Sequence, residues 1–80
     1  MHELALTREV VSIACEAAAG HRIHAITLEI GRLTCVSPDA LEFCFDVVAQ
    51  ETLAEGAHLR IRRTDGDECH VVALEIEETV

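Results

Sequence analysis

The feature that most constrains the fold of this chain is a change of hydrophobic period. Ile26, Leu28 and Ile30 alternate with Ala25, Thr27 and Glu29, the two-residue repeat of a strand with one buried face. On either side of it the repeat is helical. Leu6, Val10, Ile13 and Ala17 recur at spacings of four, three and four, which predicts an amphipathic helix from about Glu3 to Ala19 that buries this stripe and is capped by Gly20. Ser37-Pro38 supplies an N-cap and a first helical position. The helix that follows is expected to align Leu41, Phe45, Val48 and Thr52, with Cys44 beside them, and to end near Thr52, before Gly56.

Two further alternating stretches complete the chain. Leu59 and Ile61 alternate with Arg60 and Arg62, and Val72, Leu74 and Ile76 alternate with Ala73, Glu75 and Glu77. Asp65-Gly66 between them is a two-residue hairpin signal. Closing a turn there pairs Thr64 with Asp67, sets Leu59 opposite Val72 and Ile61 opposite His70, and puts both apolar sets on one face. The last strand then extends past the second and needs another neighbour, giving a strand order of 1-3-2 in which Glu29 and Glu75 come close. Gly31 marks a bulge or a close backbone approach. The expected fold class is α+β, in the order α-β-α-β-β, with two helices packed on one face of a small three-stranded mixed sheet.

Eighty residues make a single domain, 1-80, near the size at which small folds need help, so a homodimer would add useful buried surface. There is no Trp or Tyr, and only Phe43 and Phe45 among the aromatics, so the core must be mostly aliphatic. A net charge of −9 without a single lysine argues against nucleic acid or an anionic membrane as partner and favours a cation or a basic protein surface. No stretch approaches the roughly 20 apolar residues of a membrane span, and the first residues lack the basic and apolar regions of a signal peptide, so a cytoplasmic protein is expected. Cys15, Cys35, Cys44 and Cys69 form no C-x-x-C pair. Cys15 and Cys44 read as small hydrophobes in helices, and packing is favoured over thiol chemistry for Cys35 and Cys69. There is no glycine-rich phosphate loop and no recognisable nucleophile with a base and an orienting acid, so the chain does not read as an enzyme.

The first three residues are where chemistry concentrates. The Met1 amine, the His2 imidazole and the backbone nitrogens of His2 and Glu3 lie close enough in sequence to close fused chelate rings on one small ion. Amine and imidazole both become neutral nitrogen donors near physiological pH. A planar set of four nitrogens suits Ni(II) or Cu(II) and suits zinc poorly. The chelate requires Met1, and a bulky His2 disfavours its removal. The claw would stand just before a helix N-terminus, where amides are not yet committed to helical bonds but the dipole opposes a bare cation. His21 and His24 have H-x-x-H spacing but read as solvated loop residues. His70 is expected on the inner face of the sheet and His58 on the outer, both structural.

Several segments in one order resemble the HypA/HybF family of hydrogenase maturation nickel metallochaperones. They are Met1-His2-Glu3-Leu4-Ala5-Leu6 at the start, Leu28-Glu29-Ile30-Gly31-Arg32-Leu33-Thr34-Cys35-Val36-Ser37-Pro38, Leu41-Glu42-Phe43-Cys44-Phe45-Asp46, Thr52-Leu53-Ala54-Glu55-Gly56-Ala57, and Gly66-Asp67-Glu68 leading into Leu74-Glu75-Ile76-Glu77. The resemblance implies a Ni(II) site at the Met1 amine, His2 and the backbone nitrogen of Glu3, with the Glu3 side chain in support. It also implies delivery to a hydrogenase large subunit precursor and a partner maturation GTPase. One departure is plain: the family's zinc ribbon, inserted between the second and third strands, has no counterpart at about residues 64-67, so no structural zinc is expected. The position of Ser37, often acidic in the family, offers no accessory ligand. The alternative is a degenerate or truncated family member that keeps the scaffold as a protein-interaction module without metal delivery.

Overall fold

The computed structural model describes residues 2-78. Helix α1 (Glu3–Ala18) leads into strand β1 (Ile23–Gly31), a short 3-10 turn (Arg32–Thr34), helix α2 (Pro38–Val48) and strands β2 (His58–Thr64) and β3 (Cys69–Ile76). The α+β order and the three-stranded mixed sheet are those expected.

The strand order is not. The sheet runs β2-β1-β3, with β1 parallel to β2 and antiparallel to β3. The Asp65-Gly66 hairpin therefore does not form. Leu59 lies beside Ile26 and Ile61 beside Leu28, rather than beside Val72 and His70. The physical reason lies in β1 itself, where Ile23, Ala25, Ile26, Leu28 and Ile30 are all buried. Such a strand belongs in the middle, where both of its edges are hydrogen-bonded, whereas β2 and β3 alternate between half-buried and exposed residues. The register of β1 with β3 keeps apart the two carboxylates expected to come close, with Glu29 opposite His70 and Glu75 opposite Ala25. Glu29 Oε2 sits 2.7 Å from Arg62 Nη2 and its Oε1 3.3 Å from His70 Nε2, while Glu75 Oε2 is 3.1 Å from Arg60 Nη1. His70 is thus on the outer face, not the inner one.

Both helices cover the face presented by Ile26, Leu28 and Ile30, and the core they enclose includes Val10, Val11, Ala14, Leu41 and Phe45. The second half of helix α1 meets the core one position later than its large apolar residues suggest. Of the expected stripe, Val10 is buried and Leu6 packs against the core, but the inward face continues through Thr7, Val11, Ala14 and Ala18, whereas Ile13 is 51% exposed and Ala17 is exposed. Ala14 and Ala18 are almost wholly buried, and their small side chains let the helix backbone come close, a packing preference that outweighs the volume of Ile13.

The left-handed turn after α1 begins at Ala19 (φ 52°), one residue before Gly20. Ser37 caps α2 as expected, its Oγ accepting from the Ala40 N–H at 3.3 Å. Helix α2 ends at Val48 rather than near Thr52. There the Thr52 hydroxyl donates to the Ala49 carbonyl at 2.7 Å and accepts from the Ala54 N–H at 3.0 Å, an alternative to helical bonding that starts a run of turns. The expected close approach at Gly31 is present. Its N–H donates to the Glu68 carbonyl at 2.7 Å, the Leu33 N–H donates to the Gly66 carbonyl at 3.0 Å, and a Cβ on Gly31 would strike the Gly66 carbonyl.

Candidate functional site at the start of the first helix

The helical ladder of α1 opens with the Leu6 N–H donating to the His2 carbonyl at 3.1 Å. The backbone N–H groups of Glu3, Leu4 and Ala5 therefore stand outside that ladder, as the first amides of a helix must. His2 occupies the N-cap position in extended conformation, its side chain makes no capping bond, and it is exposed. Met1 lies outside the described residues. Thr7, buried one turn in, donates its hydroxyl to the Glu3 carbonyl at 2.6 Å and fixes the first turn.

Glu3 is oriented by another element. Its Oε2 accepts from the Ser37 N–H at 3.2 Å, joining the first turn of α1 to the N-cap of α2. That bond first, and then the carboxylate's own backbone N–H, hold the Glu3 carboxyl below the usual carboxylate range. Both helices thus begin at the same end of the molecule, each with an acidic residue, Glu3 or Asp39, in its first turn. Sequence reasoning found the Ser37 cap but not its tie to Glu3, because a contact spanning 34 positions leaves no local signal.

The remaining candidate donors are scattered. His24 lies 3.8 Å from Glu77 at one strand end, and His21 is half-buried after α1 with its backbone N–H on the Ala18 carbonyl. His58 is exposed at the start of β2. All four cysteines are free thiols, on separate parts of the fold. Cys69 packs against the core, where burial, and secondarily the charge of Glu9, push its thiol up. Among the described residues, no group of three or more His, Cys, Asp or Glu side chains converges to hold a metal ion. A metal bound at His2 would therefore draw its other donors from the backbone and the chain end. No helix among the described residues is long and apolar enough to cross a membrane.

The fold is one already seen in a solved protein. A solved relative, the solution structure of the Ni metallochaperone HypA from Helicobacter pylori, has the same fold with a TM-score of 0.79, covering 95% of this chain and 97% of that one at 17% identity. Residues 1–79 match the family model described as hydrogenase/urease nickel incorporation, metallochaperone, hypA. The hydrogenase maturation factor HypA of Geobacter metallireducens is 52% identical over 66 residues, which are 82% of this chain and 60% of that protein. That of Trichodesmium erythraeum is 47% identical over 77 residues, 95% of this chain and 68% of the relative. The chain belongs to the HypA family of nickel-incorporation metallochaperones. It spans about three-fifths of the length of the Geobacter relative.

Proposed function

We propose that this chain binds Ni(II) as cargo at its amino end and passes it by direct contact towards a hydrogenase large subunit precursor. The donors are the Met1 amine, the His2 imidazole and the backbone nitrogens of His2 and Glu3, a set suited to a square-planar d8 ion. The Glu3 carboxylate supports the site from its place on Ser37. The observation that carries this reading is the exposed His2 imidazole, set before amides that lie outside the helical ladder, in a chain whose family match begins at residue 1. A chain end can exchange donors one at a time with an acceptor, which suits transfer more than storage. The names of its relatives support a role in hydrogenase maturation. Action in the cytoplasm, alongside a maturation GTPase, is part of the same proposal. In the same reading the 64-67 connection carries no zinc ribbon and the domain needs no structural zinc.

Nickel titration tests the site, using protein with its authentic first residue, the His2→Ala variant and protein carrying an N-terminal extension. One Ni(II) per chain is expected for the first, with affinity falling at least about tenfold, roughly 1.4 kcal/mol, in the other two. Equal binding by all three rules the site out. Retained binding of maturation partners without any dependence on nickel would instead favour an interaction module.

A further inference from the structure

The most exposed aromatic of the described residues sits on α2. Phe43 is 73% exposed and Val47, one turn on, 53%, so the two share a ridge on the side away from the core that Leu41 and Phe45 enter. Asp39, Glu42 and Asp46 lie along the same helix, which has no basic residue. Among the described residues, none of these three makes an ion pair, whereas Glu29, Asp65, Glu75 and Glu77 each face an arginine or a histidine. Uncompensated negative charge and exposed apolar surface therefore coincide. Beside the ridge, a shallow cleft of about 240 Å³ separates α2 from the start of β2, lined by Glu42, Phe45, Asp46, Ala57, His58 and Leu59.

We propose that this ridge and cleft dock a basic amphipathic segment of a partner protein. The aliphatic stem of an arginine or lysine would lie along the half-buried Leu59, with its head group between the carboxylates of Glu42 and Asp46. An adjacent apolar side chain of the same segment would cover Phe43 and Val47. Charge excludes a second copy as the occupant, because two such faces would set Asp39, Glu42 and Asp46 against their equivalents. The apolar area is small, so the contact is weak and salt-sensitive. The docking uses none of the proposed nickel donors and needs no nickel.

The test is a two-dimensional amide NMR titration of the full chain, in the presence of a chelator, with a short synthetic peptide of Leu, Arg and Lys in amphipathic helical order. A scrambled peptide of the same composition and an acidic counterpart serve as comparisons. Shift changes are expected to cluster at residues 42-47 and 57-59. Affinity should fall at least about fivefold for Phe43→Ser, and again for Glu42→Gln with Asp46→Asn, while Ile13→Ser and Glu9→Gln on α1 leave it unchanged. The dispersion of each spectrum reports that the variant is folded. Shift changes spread over α1 or the outer face of the sheet, or equal binding of the scrambled peptide, would overturn the proposal. So would self-association abolished by Phe43→Ser, which would make the occupant a second copy.

Discussion

The carboxylate of Glu3 accepts a hydrogen bond from the amide of Ser37 at 3.2 Å, fastening the start of α1 to the start of α2. The Glu3 carboxyl titrates below its ordinary value of 4.5 in the folded protein, so the charged form is the one that the fold prefers. Its contribution to stability is present above the ordinary carboxylate range and is lost as pH falls through that range to the depressed folded value. Melting temperatures of the protein and of Glu3→Gln should therefore differ at pH 7 and converge as the medium is acidified to about pH 3. Parallel melting curves across that interval would show that the bond contributes nothing.

Gly31 should resist substitution for steric reasons. Its backbone, at φ −71° and ψ 147°, is open to any residue, but an added Cβ would strike the Gly66 carbonyl and lie 2.8 Å from the Asp67 nitrogen. Both obstacles are backbone. Gly31→Ala should cost about 1–3 kcal/mol in urea unfolding. Gly66→Ala, whose Cβ would meet only the far end of the Glu68 side chain, should cost less. The reverse ranking would mean that the connection after β2 is free to move aside.

The inward face of α1 gives an opposed pair of outcomes. Ala14 is fully buried and Ile13 is half exposed, so Ala14→Leu should destabilise by about 1–3 kcal/mol and Ile13→Ser should stay within about 0.5 kcal/mol. Chemical denaturation of both variants is enough to check the order.

Thiol accessibility should divide the cysteines. Cys35 is exposed in a left-handed turn, whereas Cys69 is half-buried with its thiol pushed up by burial and by Glu9. A brief pulse of iodoacetamide at pH 7.5 followed by peptide mass spectrometry should find Cys35 alkylated well before Cys69, since the thiolate is the reacting form. Equal labelling would place Cys69 in solvent.

What could be read from residues alone follows how local each signal is. The strand at Ile26 to Ile30 and the Ser37 cap rest on neighbours within a few positions, and both are present. The tight passage at Gly31 is signalled as locally, by a glycine ending an alternating stretch, although the backbone it admits is that of Gly66. The Asp65-Gly66 turn was equally local but lost to a longer-range demand, the need of the most apolar strand for a partner on each edge. The face of α1 went astray because periodicity weighs Ile13 above Ala14, while close packing favours the smaller side chain. At the amino end, donor spacing and family resemblance singled out Met1, His2 and Glu3 together. The Ser37 amide that orients the Glu3 side chain could emerge only once the two helices were placed side by side.

The central position of β1 also determines what the connection between β2 and β3 can carry. Those strands stand on opposite flanks of β1, so the two ends of the segment at residues 64-69 are separated by about two inter-strand spacings, close to 10 Å. Anything spliced into this link would be mounted on two spaced feet instead of swinging from the tip of a hairpin. Its bearing relative to the sheet would be governed by the scaffold beneath it.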